Sequence, residues 1–507
     1  MRNYIFNIPD YLDAFSLCES GKSIDYVSDS VKGFDFQTGD RMVACVGSDE
    51  AFYRYAFQVV SHNNDTLRLK KIFETAPGYS KAVASSELSI VADNTLTLIS
   101  EEHFKILLQK MMLLGLDEYN IQLPLNTLDE TSNELTDLEN RIITAIRTKP
   151  FVLLAGISGT GKSRIVRQLA KACWPIDSEE NNAHKPSNFE MVQVKPNWHD
   201  SSELLGYVSR IGDKPEFIAG DFLKFIAKAW ENPDIPYFLC LDEMNLAPVE
   251  QYFAEYLSVI ESRKLQEDNE TIKTDPILRK EDEEWYFTLT SKLTSNEDVR
   301  KDFNKNGIRI PQNLIVIGTV NMDETTYSFS RKVLDRAMTI EMNEVELNGG
   351  LDKSKSHLPH IKPEQLLADA VEGYDVYREE FKDDCDTVIK YLGAVNDALA
   401  NTPFRVAYRT RNEFLIYVVN AIRLAGNYTD RNKVIADALD EVTSMKILSR
   451  IEGDRRKVHF LGKLRDTIKT ELDSIDKADR SEEHSVSLAK IDTMSERLKS
   501  GYTSFWD

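Results

Sequence analysis

Eight consecutive residues, Gly156-Ile-Ser-Gly-Thr-Gly-Lys-Ser163, constrain the fold of this chain more than any other feature. They complete the Walker A pattern, and their flanks suit it. Phe151-Val-Leu-Leu-Ala155 is a short apolar run of the kind that forms a buried strand, and the stretch from Arg164 to Ala172 has helical spacing. Strand, glycine-rich turn and helix in that order wrap successive backbone N–H groups around a concavity, with a helix N-terminus behind them. Such a concavity takes phosphate. Gly156, Ser158, Gly159, Thr160, Gly161, Lys162 and Ser163 are therefore the expected nucleotide-binding residues. Lys162 would reach the β- and γ-phosphates, and the Ser163 hydroxyl would ligate Mg2+.

A second apolar run, Tyr237-Phe-Leu-Cys-Leu241, ends in Asp242-Glu243, the Walker B pattern. Asp242 would join Ser163 around Mg2+, and Glu243 would polarise the attacking water. A third run, from Asn313 to Val320, ends at Asn321, a polar side chain at a strand end that would orient that water. Beyond it, Arg336 follows a short helical stretch and is the first candidate for a finger on the γ-phosphate of a neighbouring subunit, with Arg331 the second. A surface ion pair with a nearby acid is the alternative reading of Arg336. Arg409, preferred over Arg411, opens a later helix and would reach back to the phosphates from a lid. Glu243, Asn321, Arg336 and Arg409 form the expected catalytic set.

At 507 residues the chain has room for about three domains. The predicted architecture is multidomain: a small β-rich N-terminal domain, an α/β P-loop core, and an α-helical lid with further C-terminal helices. Residues 1–110 hold three strand patterns, at 41–46, 52–60 and 66–73, with a turn at Asn63-Asn64-Asp65, and a closing helix from Glu101. A connector is expected over 111–133, and the core over 134–345. The highly charged stretch at about 262–308, poor in core residues, is read as an insertion or long hairpin on that core, partly mobile. The lid is placed at 346–470 and a charged helical tail at 471–507.

The net charge of −21 argues against a general polyanion binder, so any nucleic-acid contact must be local or line an assembled channel. No apolar run approaches the roughly 20 residues of a membrane helix, and the N-terminus has no cleavable signal pattern. Five scattered cysteines without a CxxC fit reduced thiols, and a cytoplasmic location is expected.

These motifs resemble those of an AAA+ NTPase of the McrB type, the motor subunit of modification-dependent (type IV) restriction systems. The resemblance rests on GISGTGKS at 156–163, NWHDSSELLGY at 197–207, LDEMNLAPVEQYFAEYLSVIE at 241–261 and GTVNMDETTYSFSRKVLDRAMTIEM at 318–342. It implies a hexameric ring with sites between subunits, Asn321 as the sensor asparagine, Arg336 as a trans-acting finger and Arg409 as the lid sensor. Asn245 falls in the family's Asp-Glu-x-Asn pattern. The family's Asn-x-x-Asp-Arg signature is only half kept: Glu324 retains the acid, and Thr325 stands where the basic residue should be. The nucleotide is thus left open between GTP and ATP.

The N-terminal segment resembles PUA-like barrels of the EVE kind, whose aromatic residues cage a modified base. Tyr26, Phe34, Phe36, Phe52, Tyr53 and Tyr55 are the available rings, and packing of the barrel is their alternative use. DNA, methylated or plain, is the partner this implies.

No nuclease pattern is present in the sequence, and the resemblance implies a separate McrC-like nuclease subunit. His357-Leu-Pro-His360 lacks further ligands and is not read as a metal site. The competing reading is a MoxR-like or dynein-related ATPase that remodels a protein partner.

Overall fold

The computed structural model describes residues 3–8, 23–27, 40–46, 52–63, 66–74 and 96–99, and then 135–506 apart from 177, 269, 323–326, 344–357, 427–429 and 478–484. The expected closing helix from Glu101, the connector at 111–133, Phe34, Phe36, Glu324, Thr325 and His357 lie outside these residues, as do the side chains of Tyr26, Phe52, Tyr53 and Tyr55. The chain divides into two compact units, Met1–Glu130 and Thr131–Asp507.

The first unit is built on a six-stranded sheet. Its strands are β1 (Asn3–Ile8), β2 (Ser23–Val27), β3 (Arg41–Val46), β4 (Phe52–Asn63), β5 (Thr66–Glu74) and β6 (Leu96–Ile99). Their order is β2-β5-β4-β3-β1-β6, antiparallel throughout except for the parallel pair β1 and β3. Met42 opposite Phe57 and Val59 opposite Leu69 are buried cross-strand pairs, the unit by which a sheet is stabilised.

The second unit opens with a helix, Asp137–Thr148, started by a reciprocal cap: Glu139 N–H donates to the Thr136 hydroxyl, and Thr136 N–H donates to the Glu139 carboxylate. Five parallel strands follow: β7 (Phe151–Gly156), β8 (Phe189–Gln193), β9 (Tyr237–Asp242), β10 (Leu314–Asn321) and β11 (Met338–Glu341). Their order is β11-β7-β10-β9-β8. Alternation along each strand divides its side chains between two cores. Val152, Leu154, Phe238, Cys240, Ile315 and Ile317 face the helix Lys162–Ala172 and the C-terminal helices. Phe151, Leu153, Leu239, Leu241, Leu314 and Val316 face Phe222, Tyr252, Phe253 and Tyr256. Both faces are covered, which is why these strands read as unbroken apolar runs.

Two charged segments pack into the cores through a few apolar anchors. The charged stretch 262–308 pairs Lys264–Leu265 with Ile272–Lys273 in a short hairpin and carries two helices, Glu284–Leu293 and Glu297–Asn306, that enter the second core through Leu289 and Phe303. The Tyr286 hydroxyl, buried beside them, donates to the carbonyl oxygen of Phe303 at 2.9 Å. The charges lie on the outer faces of these helices and outnumber the anchors, so composition hid the packing. The charged tail likewise carries a helix, Val486–Leu498, whose Leu488, Ile491 and Met494 join the first core. Its N-terminus is held by the buried Asp440 carboxylate, which accepts from Val486 N–H and the Ser485 hydroxyl at 2.7 Å each.

Candidate functional site

The phosphate loop joins the end of β7 to the helix Lys162–Ala172. Its glycines have separate reasons. Gly159 and Gly161 have φ near +86° and +84°, with open space where a Cβ would stand, so backbone conformation alone demands glycine there. At Gly156 a Cβ would meet the carbonyl oxygen of Met342 at 2.5 Å, so close approach demands it. The Lys162 ammonium donates to the carbonyl oxygens of Gly156 at 3.0 Å and Ile157 at 2.7 Å, and so lies across the loop it would serve.

The strand-end acids are joined to that loop by a run of hydrogen bonds. The Ser163 hydroxyl donates to Asp242 Oδ1 at 2.6 Å, and the Thr319 hydroxyl donates to the same oxygen at 2.8 Å. Thr319 Oγ1 in turn accepts from the backbone N–H of Glu243 at 3.0 Å. Asn321 Nδ2 donates to Glu243 Oε1 at 3.2 Å. Parallel pairing of β7, β10 and β9 brings these residues together, with Asn321 beside Gly156 in register. Glu243 has φ 53° and ψ 51°, and only Asn401 among the other described non-glycine residues has a positive φ. An acid held in the left-handed region is the kind of local strain found where a side chain must be aimed.

The structure therefore brings Ser163, Asp242, Glu243 and Asn321 into one constellation and adds Thr319. A signal for Thr319 was present in the sequence: it lies two residues before Asn321 on one strand, hence on the same face. Gly318 beside it leaves room for Met244, which lies against the place its side chain would take.

The arginines make no hydrogen bond within this run. Arg336 pairs through Nε with Glu261 at 3.4 Å and donates to the carbonyl oxygen of Lys332 at 3.0 Å. Arg409 pairs with the other oxygen of the same Glu261. One carboxylate thus gathers the expected finger and the expected lid sensor, and Arg409 remains half exposed there. Arg331 donates to the carbonyl oxygen of Pro403 and stacks 4.8 Å from the centre of the Phe404 ring. Arg411 is turned onto Asn412 and Tyr408. A cavity of about 290 Å³ is lined by Asn321 and Asn245 together with Arg331, Arg450 and Trp506. His360 Nδ1 lies 3.0 Å from the carbonyl oxygen of Ala172, a structural contact. Among the described residues no cluster of His, Cys, Asp and Glu has the makings of a metal site. No described helix is long and apolar enough to cross a membrane.

A hydroxyl and a carboxylate converging at the loop are the hard oxygen donors Mg2+ takes alongside phosphate, so Ser163 and Asp242 fit that ion. The sheet and loop describe a P-loop NTPase. Residues 151–338 match the family model of the AAA domain, dynein-related subfamily, and the core is an AAA+ ATPase domain.

Residues 366–502 match a model described as a domain of unknown function (DUF8727). A curated relative is the Type IV methyl-directed restriction enzyme EcoKMcrB subunit of Escherichia coli (strain K12), 24% identical over 229 residues. The match covers 44% of this chain and 42% of the relative, so the chain spans less than half the length of that protein. Among solved structures, the assembled ATPase EscN of the enteropathogenic E. coli type III secretion system aligns at 11% identity and a TM-score of 0.20, over 84% of this chain and 98% of that one. A superposition that loose carries no argument about fold.

Proposed function

We propose that this chain hydrolyses GTP or ATP as the ring motor of an McrBC-like, modification-dependent DNA restriction system and recruits a separate McrC-like nuclease subunit. The observation that carries the hydrolytic reading is the unbroken run of hydrogen bonds from Ser163 through Asp242 and Thr319 to Glu243, whose carboxylate Asn321 holds. The McrB-type relative and the motifs at 241–261 and 318–342 support the restriction reading.

In this reading the loop N–H groups and Lys162 bind the triphosphate, and Ser163 and Asp242 hold Mg2+. Bound Mg2+ supplies neutralisation of charge on the phosphate oxygens. Glu243 takes a proton from the attacking water as its oxygen bonds to the γ-phosphorus. The bond to the bridging oxygen breaks, and the nucleoside diphosphate leaves with the electron pair. Asn321 keeps the Glu243 carboxylate aimed. Arg336 completes the site of a neighbouring copy in a hexameric ring, and Arg409 is the lid sensor that reaches back to the phosphates. The N-terminal sheet is the EVE- or PUA-like module that selects DNA.

The test is turnover of GTP and of ATP by the full chain, alone and with methylated DNA, plain DNA or a protein substrate, alongside binding of the full chain to both DNAs. Stimulation and binding by methylated DNA support the reading. The second reading, a MoxR-like or dynein-related ATPase acting on a protein partner, is favoured by the family description and the net charge of −21. Stimulation by protein and indifference to both DNAs would select it.

A further inference from the structure

Lys446 is 1% exposed, at the end of the helix Arg431–Lys446, and it carries a charge into the interior. Its ammonium donates to the carbonyl oxygens of Leu334 at 3.3 Å, Asp335 at 3.2 Å and Ala337 at 2.8 Å. It also pairs with Glu413 Oε2 at 2.8 Å. The other Glu413 oxygen takes Lys149 Nζ at 2.6 Å, and that ammonium reaches the carbonyl oxygen of Asp335 at 3.5 Å. Arg450 Nε pairs with the Asp335 side chain at 3.2 Å. Lys446, Lys149 and Arg450 thus all reach into the four residues from Leu334 to Ala337, and Arg336 stands among them.

The helix Arg331–Leu334 is a single turn, too short to fix its own end. The turn is closed by Asp335 N–H on the carbonyl oxygen of Arg331 and Arg336 N–H on that of Val333, and the chain then leaves it through Asp335 and Ala337, whose carbonyl oxygens Lys446 takes. An ammonium has three donors and no acceptor, which suits a cluster of carbonyl oxygens. A buried ion is a costly way to fill space, since apolar residues of similar volume pack as well or better, but it does specify one arrangement of the groups it binds. Burial alone would raise the Glu413 carboxyl, yet the two ammonium groups hold it below its ordinary range, so it stays charged between them.

We propose that Lys446 is a positioning residue for Arg336: anchored by Glu413 and Lys149, it sets the backbone of 334–337 and so the direction in which the Arg336 side chain leaves the subunit. The inference rests on the reading of Arg336 as a finger acting on a neighbouring copy. Lys446 comes from the C-terminal helices, so any shift of those helices reaches the neighbour's site through this contact.

Two full-length chains separate the parts. One carries Glu243→Gln, which silences its own site and keeps its finger; the other carries Arg336→Ala, which silences the finger and keeps its site. Mixed, they should recover nucleotide hydrolysis, and no recovery overturns the trans reading itself and the inference with it. Lys446→Met in the Glu243→Gln chain should then cut the recovered rate by about tenfold or more with KM little changed. The same substitution in the Arg336→Ala chain, which has no finger to aim, should leave the rate within about twofold. Equal loss in both placements marks a merely structural role and overturns the inference, as does no loss in the first. Where Lys446→Met lowers the melting temperature or blocks assembly, Glu413→Gln, which keeps the volume, is placed in the same two chains and read the same way.

Discussion

Thr319→Val is the sharpest test of the hydrogen-bond run at the site, because it removes one hydroxyl and keeps the shape. Thr319 is 2% exposed and does two things: it donates to Asp242 and accepts from the Glu243 N–H. Valine leaves that partly buried N–H without the Thr319 acceptor, which costs up to about 1–3 kcal/mol. Glu243 sits at φ 53°, so its backbone relaxes once the N–H is released. If that energy is lost from the orientation of Glu243 in the transition state, kcat falls about 5- to 150-fold at 1.36 kcal/mol per decade. Asp242 loses one of two hydroxyl donors but keeps Ser163, so the Mg2+ requirement should rise modestly. The assay is steady-state phosphate release over a grid of nucleotide and Mg2+ concentrations, with thermal unfolding run in parallel. Thr319→Ser keeps the hydroxyl and should stay near wild type. A Thr319→Val chain with unchanged kcat and unchanged Mg2+ dependence would refute the reasoning.

Arg336→Ala should lower kcat by about three orders of magnitude and leave nucleotide binding to the isolated chain intact, as measured by titration with a fluorescent nucleotide. Glu261→Gln removes a partly exposed partner of Arg336 and Arg409, so chemical denaturation should show a change of no more than about 1 kcal/mol. With both arginines released, half-maximal turnover should come at lower protein concentration; a higher requirement means that Glu261 aims them instead. Burial pushes the Lys446 ammonium down to about 8 from 10.5. Between those values the unfolded chain binds more protons than the folded one, so this group's contribution to stability rises with pH across that window and is lost as pH falls through 8. Glu413, Lys149 and Asp335, with Arg450 on the last, are the charged groups that face it. Denaturation midpoints of wild type relative to Lys446→Met should therefore climb between about pH 8 and 10, and a flat difference contradicts this.

What could be read in the sequence was what is contiguous in it. The loop from Gly156 to Ser163 and the pair Asp242-Glu243 each lie in one short stretch, and parallel pairing then brings the stretches together. Thr319 was within reach through its spacing to Asn321, but a threonine inside an apolar strand has no mark of its own. Glu261, Lys446 and Glu413 had none, because their partners lie 75, 112 and 264 residues away in sequence. Arg409 was expected to reach toward phosphate, and here it shares Glu261 with Arg336. Composition misled at 262–308, where Tyr286, Leu289 and Phe303 anchor two helices set within a highly charged stretch. Near the C-terminus the three-residue spacing of Leu488, Ile491 and Met494 marks a buried stripe on the charged helical tail.

The order of the central sheet has a consequence for how the chain comes into being. β7, the strand that carries the phosphate loop, lies between β10 and β11, so Phe151 pairs with Val316 and Val152 with Met338. During synthesis the loop emerges long before either neighbour exists. Pairing across such distances is slow and leaves apolar strands waiting without partners. Until residues 314–321 have left the ribosome the loop-bearing strand has no partner, and the strand on its other side, ending at Glu341, comes later still. The nucleotide then arrives as a late ligand of a nearly complete domain, where it stabilises the folded state by mass action. Its concentration in the cell thereby bears on the yield of folded chains as well as on their turnover.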